Sequence, residues 1–202
     1  MNIGIDIDDT LSESCELVFP FSQKFDIEEL GNSGRVQSYG KKENHNYIEE
    51  MYPHWTEEQT NLFWEKIFMQ TVTEARPKPY APEIIHRLKE EGNQIIIITS
   101  RYEVLPNDNT IETKSKEWLN KNDIPYDKFI LNAKDKLIAA QNEKIDLFID
   151  DSIQHCKRIN GGNIKTLLYT TIANQGVEVP ELERVYSWIQ IYEIYKQMRD
   201  KK

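Results

Sequence analysis

Three short apolar runs, each closed by polar residues, constrain the fold of this chain most. The first is Met1-Asn2-Ile3-Gly4-Ile5-Asp6-Ile7-Asp8-Asp9-Thr10-Leu11. The second, Asn93 to Arg101, has consecutive isoleucines at 95–98 followed by Thr99, Ser100 and Arg101. The third runs from Ile145 to Ser152 and ends in Asp150 and Asp151. Short β-branched runs read as buried strands, and Ile3, Ile5 and Ile7 keep the strand period of two. Helical patterns lie between the runs: one ending at Leu88–Gly92, one near 113–121, one near 135–141 and one near 154–159. Further strands are predicted at Lys128–Leu131 and Ile164–Tyr169, and a last helix over 183–198 with Val185, Trp188, Ile189, Tyr192 and Tyr195 on one stripe. Strand–helix alternation with right-handed crossovers predicts an α/β protein, a Rossmann-like parallel sheet flanked by helices. Ligands of such sheets bind at the carboxyl ends of the strands, where all three runs carry their polar groups.

The stretch from Ser12 to about Arg76 has no β-branched run and reads as helical. Thr56-Glu57-Glu58-Gln59 has capping-box spacing, and Leu62, Phe63, Ile67 and Phe68 follow at helical intervals. Residues 31–34 and 40–46 read as loops, and Arg76 to Pro82 is a proline-stiffened connector whose Pro82 opens a helix. The expected division is a core of residues 1–11 and 78–202 with a mainly helical insertion at 12–77. Phe19, Phe21, Tyr39, Tyr47, Tyr52, Trp55, Phe63 and Trp64 make that insertion aromatic. Most of these rings belong in its interior, though some could stack on a planar base.

The formal net charge of −9 argues against affinity for a nucleic-acid polymer, which needs clustered Lys and Arg. It does not exclude a single nucleotide held through a divalent cation. Cys15 and Cys156 lack metal-ligand spacing and read as reduced packing residues, which suits the cytoplasm. No run reaches transmembrane length, no leader pattern precedes the first strand, and no membrane partner is expected. His45, His54, His86 and His155 show no ligand spacing. A P-loop Gly-x-x-x-x-Gly-Lys-Ser/Thr is absent.

If the first strand continues past its end, Asp6 and Asp8 leave it on one side, roughly 6–7 Å apart at their backbones. Carboxylates gathered at a buried strand end repel one another and are costly to desolvate. A divalent cation with a preference for hard oxygen ligands resolves that cost, and Mg²⁺ fits. Asp150 and Asp151 recur in the same context and supply the other half of such a site.

In this order, Asp6-Ile7-Asp8-Asp9-Thr10, Thr99-Ser100, a lysine ahead of the third run, and Asp150-Asp151 resemble the motifs of the haloacid dehalogenase-like phosphatase superfamily. The closer likeness is to its 5′(3′)-deoxyribonucleotidase-like group, through Ile-Thr-Ser-Arg at 98–101, Phe-Ile-Asp-Asp-Ser at 148–152 and Ser-Trp-Ile-Gln-Ile-Tyr at 187–192. The resemblance implies a Mg²⁺-dependent phosphomonoester hydrolase acting through an aspartyl-phosphate, with residues 12–77 as its cap. Asp6 is then the nucleophile and a metal ligand, and Asp8 the general acid and base, whose backbone carbonyl also meets the metal. Asp151 is the direct metal ligand, with Asp150 holding a metal-bound water or orienting the lysine, or the two in reversed roles. Thr99 and the Ser100 amide bind the phosphate, and Lys136, or else Lys134, balances its charge. Arg101 either reaches phosphate or pairs with a surface acid. The implied substrate is a small phosphomonoester: a nucleoside monophosphate, or alternatively a sugar phosphate or other metabolite. A non-catalytic phosphate sensor on the same scaffold is the competing class.

Overall fold

The computed structural model describes residues 1–37, 47–103 and 109–200. The chain opens with β1 (Asn2–Ile5) and continues through three helices, α1 (Ser14–Glu28), α2 (Tyr47–Met51) and α3 (Glu57–Glu74). Strands and helices then alternate: α4 (Ala81–Glu90), β2 (Gln94–Ile98), α5 (Thr110–Lys121), β3 (Lys128–Ile130), α6 (Lys136–Asn142), β4 (Leu147–Asp150), α7 (Ile153–Gly161) and β5 (Lys165–Tyr169). The described chain closes with β6 (Glu183–Val185) and α8 (Trp188–Arg199). All pairings among these strands are parallel, in the order β3-β2-β1-β4-β5-β6. The order reverses between β1 and β4, which puts the crevice of a doubly wound sheet beyond Ile5 and Asp150.

Period-two alternation distributes each strand between two cores. Ile3, Ile5, Ile95, Ile97, Leu147 and Ile149 pack with Ile84 and Leu88 of α4, Trp118 of α5 and Trp188 and Ile191 of α8. Ile96, Ile98 and Phe148 face the other way, against Ala140 of α6 and Ile159 of α7. A strand buried on both faces needs apolar residues at successive positions, which is why β2 is an uninterrupted isoleucine run.

The α-helical segment leaves and rejoins the sheet at one place. Ser12 and Pro77 form an antiparallel bridge, the Glu13 amide donates to the Arg76 carbonyl at 2.7 Å, and the Lys78 amide donates to the Leu11 carbonyl at 2.7 Å. Trp118 of α5 ties this junction down by donating its indole N–H to the Ala75 carbonyl at 2.6 Å. Beyond it, α1, α2 and α3 bury a separate core built from Phe19, Phe25, Tyr52, Trp55 and Phe63, with Phe21, Tyr47 and Trp64 at its margin. Tyr52 and Trp55 stack at 4.3 Å, and the Thr56–Gln59 capping box opens α3 as its spacing predicts. Tyr39, His45 and the loop read over 40–46 lie outside the described residues.

The single helix predicted over 183–198 is instead a strand followed by a helix. Glu183, Arg184 and Val185 pair with Leu167, Leu168 and Tyr169 of β5, and Ser187 caps α8 by accepting from the Gln190 amide at 3.2 Å. Arg184 holds this short edge by donating to the Asn174 carbonyl at 3.0 Å and to the Asn174 side chain at 3.0 Å. The buried stripe of α8 is accordingly Trp188, Ile191 and Tyr195, and Ile189 lies 42% exposed. A three-residue strand has no periodicity of its own to set against a helical window. Among the described residues, no helix is long and apolar enough to cross a membrane.

Gly4 sets the fit between the two central strands. It pairs with Phe148 across β1 and β4, and a Cβ at position 4 would come within 2.6 Å of the buried Phe148 ring. We expect Gly4→Ala to destabilise the protein by about 1–3 kcal/mol through overpacking. Urea unfolding should show a lower midpoint at unchanged m-value, and an unaltered midpoint would mean that the ring is free to move aside.

Candidate active site

The turn after β1 is wound around one carbonyl. The amides of Thr10, Leu11 and Ser12 all converge on the Ile7 carbonyl, at 3.3, 2.8 and 2.9 Å. Asp9 permits this by taking a left-handed conformation (φ 58°), which Asp and Asn tolerate better than most residues. Its carboxylate accepts from the Cys15 amide at 2.6 Å and the Cys15 thiol at 2.8 Å, locking the turn to α1. Trp188 adds a tie from α8, donating its indole N–H to the Thr10 carbonyl at 3.0 Å. The strand therefore does not continue through Asp8 as the 6–7 Å reading assumes, and Asp6 and Asp8 acquire different partners.

Asp6 belongs to the centre of the sheet. Its amide donates to the Ile149 carbonyl at 3.1 Å, and its Oδ1 accepts from the Lys136 ammonium at 2.6 Å. The same ammonium donates to Asp150 Oδ2 at 2.7 Å. Lys136 is the first residue of α6, whose cap is Asp135; that carboxylate accepts from the Leu137 amide at 3.1 Å and pairs with Arg158. Of the two lysines left open by the sequence, Lys136 lies buried between the carboxylates, and Lys134 is exposed.

Asp150 and Asp151 separate in the same way. Asp150 is buried, accepting from Lys136 and from the Ser152 amide at 2.8 Å, with His155 Nδ1 lying 3.5 Å from its Oδ2. Among the described residues, the Thr10 hydroxyl alone approaches the Asp151 carboxylate, at a long 3.5 Å, and the Asp151 backbone carbonyl is held by the Asn174 amide group at 2.8 Å. One carboxylate oxygen from each of Asp6, Asp150 and Asp151 lies within 4.8 Å of the others. The Asp8 side chain lies outside this group.

Asp8 and Arg101 form a forked pair, with Nε donating to Oδ2 at 2.8 Å and Nη2 to Oδ1 at 2.7 Å. Ser14 adds a donor to Oδ1 at 3.0 Å. The two destinations read for Arg101, phosphate or a surface acid, are thus replaced by an acid of the crevice itself. Thr99 is buried in the same crevice, where its hydroxyl accepts from the Arg101 amide at 3.2 Å and its own O–H remains available to donate. Ser100 is exposed at the crevice wall, in a stretch without helical structure.

Burial and charge move these groups in opposite directions. Burial raises the Asp6 carboxyl to about 7 against the pull of Lys136, with Asp150 and Asp8 adding to the rise. It raises Asp9 to about 6, and holds Asp151 well above the usual range with help from Asp9, Asp150 and Asp6. Burial also opposes charge on Asp150, but Lys136 and His155 hold that carboxyl far below its ordinary value. At Asp8, the desolvation is likewise overcome by the Arg101 charge, and the carboxyl stays low. One ammonium thus serves two of three converging carboxylates, and the third, Asp151, could give up its proton only at considerable cost.

These groups form the floor of a cavity of about 710 Å³ roofed by the helical segment. Tyr47 and Trp64 line it from that segment, together with Asn61, Glu65 and Phe68, and Tyr102 faces Phe68 with the ring centroids 6.2 Å apart. The remaining aromatic rings of α1–α3 that are described belong to the helical core. Four contributors escape a reading by motif: Asp9, Ser14, His155 and Asn174, all lining the cavity. Asp9 and Ser14 sit beside a recognisable pair of acids and could have been sought there, whereas no local signal marks His155 or Asn174.

Comparison with known proteins agrees with this architecture. No family model matches the chain. A Bacillus cereus protein described as "Putative nucleotidase" is 28% identical over 206 aligned positions, covering 97% of this chain and 98% of its own length. A Chlorobaculum tepidum protein described as "Putative 5′(3′)-deoxyribonucleotidase" is 29% identical over 118 positions, covering 58% of this chain and 54% of its own. Among solved structures, a haloacid dehalogenase-like family hydrolase from Streptococcus pneumoniae superposes with a TM-score of 0.63 at 13% identity, covering 96% of this chain and 97% of that one. In its motif order, its parallel sheet and these likenesses, the chain resembles the haloacid dehalogenase-like hydrolases and shares their fold.

Proposed function

We propose that this protein is a phosphomonoester hydrolase that works through an aspartyl-phosphate on Asp6, with a nucleoside monophosphate as its substrate. The observation that carries the reading is the buried Lys136 ammonium, 2.6 Å from Asp6 and 2.7 Å from Asp150 on the floor of an aromatic-roofed cavity. A nucleophilic carboxylate needs its charge kept and its approach to an anionic phosphoryl group made tolerable; Lys136 works toward both, and a bound cation would add to its pull against burial. Asp6 attacks phosphorus, forming a new O–P bond as the bond to the leaving oxygen breaks. Asp8, which Arg101 holds ionised in the free protein, would first take up a proton that the monoanion of the phosphomonoester can supply. It gives that proton to the leaving oxygen and later takes one from the water that hydrolyses the acyl phosphate, which restores both acids. Thr99 and the Ser100 amide donate to phosphoryl oxygens, as two hydrogen-bond donors at the crevice wall.

The donor set fits a Mg²⁺ ion. Three converging carboxylates offer hard oxygens, and Asp151 is a carboxyl whose ionisation is strongly opposed in the absence of a cation. Asp6, Asp151 and the Asp8 backbone carbonyl would hold the ion, with Asp150 orienting Lys136. When bound, the cation supplies charge neutralisation between the nucleophile and the phosphate. Residues 12–77 act as a cap that excludes water and selects the leaving group. Tyr47, Trp64, Phe68 and Tyr102 offer faces on which a base can stack. The descriptions of the two curated relatives favour the nucleotide over other phosphate esters.

The direct test is phosphate release from ribo- and deoxynucleoside 5′- and 3′-monophosphates, ribose 5-phosphate and an aryl phosphate, with Mg²⁺ and with EDTA. We expect Mg²⁺-dependent release concentrated on nucleotides; equal rates on ribose 5-phosphate would remove the base from the recognition. Asp6→Asn should abolish turnover in a folded protein, and Lys136→Ala should cost about 10²–10³-fold, with Lys134→Ala near wild type. The opposite ranking of the two lysines would reassign the charge-balancing role.

A second expectation follows from the raised carboxyls. Because Asp6, Asp9 and Asp151 hold protons in the folded state that the unfolded chain has lost, metal-free stability should fall as pH rises from about 4 to about 7. Mg²⁺ competes with those protons, so its thermal stabilisation should grow over the same interval, reaching about 2.7 kcal/mol at a hundredfold excess over Kd. Thermal melts in EDTA and in Mg²⁺ check this, and a Mg²⁺ effect independent of pH would count against ligation by these acids.

A further inference from the structure

We propose that Arg101, braced by Ser115, is the positioning residue for the Asp8 carboxylate and is not a ligand of the phosphoryl group. The inference rests on the phosphatase reading above and concerns how its acid/base group is held. Arg101 spends Nε and Nη2 on the two oxygens of Asp8, at 2.8 and 2.7 Å, and Nη1 on the Ser115 hydroxyl at 2.9 Å. Its side chain is 2% exposed, and Ser115 is wholly buried in α5. A planar guanidinium held by a carboxylate on one edge and a hydroxyl on the other has its plane fixed, which fixes the plane of the carboxylate as well. Asp8 itself is 38% exposed at the crevice, so without the fork it would have rotamer freedom toward solvent.

Chemistry explains why that plane matters. As the P–O bond breaks, its electron pair stays on the leaving oxygen, and a proton from Asp8 must arrive along a hydrogen bond already aimed there. In the second step Asp8 takes a proton from water while that water's oxygen bonds to phosphorus and the acyl-phosphate P–O bond opens. Both transfers need the same carboxylate oxygen within hydrogen-bond reach of the reacting oxygen. A base oriented by a third group is the arrangement that satisfies this, and Arg101 is that third group for Asp8. Its brace, α5, also carries Trp118, which holds the return of the helical segment at Ala75. The acid/base group and the roof of the cavity are thereby referred to one helix.

The experiment separates positioning from phosphate binding by leaving group. An alkyl phosphate needs a proton for its departing oxygen, whereas p-nitrophenolate departs readily without one. Wild type, Arg101→Gln, Ser115→Ala, Asp8→Asn and the Asp8→Asn/Arg101→Gln double variant are compared with a nucleoside monophosphate and p-nitrophenyl phosphate. Single-turnover bursts isolate the first chemical step, and inhibition by inorganic phosphate reports phosphate affinity. We expect Arg101→Gln to slow the alkyl ester about 10–100-fold and the nitrophenyl burst about threefold, with the phosphate inhibition constant changed less than about threefold. Ser115→Ala should show the same bias at smaller size, in a variant that keeps the Asp8–Arg101 pair and so serves if Arg101→Gln folds poorly. The double variant should be no slower than Asp8→Asn alone, because the two residues act as one unit. Equal losses on both esters, or a phosphate inhibition constant raised tenfold or more, would overturn the assignment and make Arg101 a phosphate ligand. A folded wild type that releases phosphate from neither ester would overturn the phosphatase reading, and the assignment with it.

Discussion

The Lys136 ammonium is the interaction on which the centre of this molecule depends. It is 3% exposed and shared between Asp6 at the end of β1 and Asp150 at the end of β4. Burial disfavours its charge, yet Asp150 and Asp6 hold it well above the ordinary lysine range. Three elements from distant parts of the sequence are joined there: the first strand, the sixth helix and the fourth strand. Removing the cation would leave buried carboxylates facing one another, which costs far more than the pair returns when intact. The fold is thus organised around a charge problem that it only partly solves by itself, since Asp151 and Asp9 remain pushed toward their protonated forms.

The two acids of the first motif show how one short segment yields two chemical environments. Asp6 is still in register with the sheet and shares a lysine; Asp8 lies beyond the end of the strand and meets an arginine. Burial wins at Asp6 and the guanidinium wins at Asp8, so their carboxyls move apart in opposite directions. For an ionised nucleophile and a protonated acid this order is reversed, and a cation held beside Asp6 would act to lower its carboxyl. The left-handed turn at Asp9, pinned by Cys15 and Trp188, is what creates the division.

Much of this was legible before any coordinates. A run of isoleucines at 95–98 can only be buried on both faces, and alternating helices then require a parallel sheet. The acids and hydroxyls at the ends of these strands had to meet along one edge, as Asp6, Asp150, Asp151 and Thr99 do. Three readings were altered for identifiable reasons, the first being the strand assumed to run on through Asp8, which the turn around the Ile7 carbonyl ends. Residues 183–185 have helical-looking neighbours, but β5 offers an unpaired edge, and three residues suffice to take it. Arg101 was placed on phosphate or on a surface acid, whereas in the structure it pairs with Asp8, 93 residues away, which carries no spacing signal.

The sequence by itself determined the inventory and its order: which strands are central, and which oxygen and nitrogen donors each delivers to the crevice. Those properties are local, set by side-chain period and by residue type at a strand end. Only the tertiary structure decided the pairing, with Lys136 and not Lys134 between the acids, Asp150 occupied by that lysine, Asp151 left exposed to charge repulsion, and Asp8 forked by Arg101. It also decided which rings face the cavity, with Tyr47 and Trp64 lining it and Phe63 buried behind them. Pairing depends on distances between elements far apart in the chain. Those distances are set by how helices pack on a twisted sheet, a property that no single segment of sequence contains.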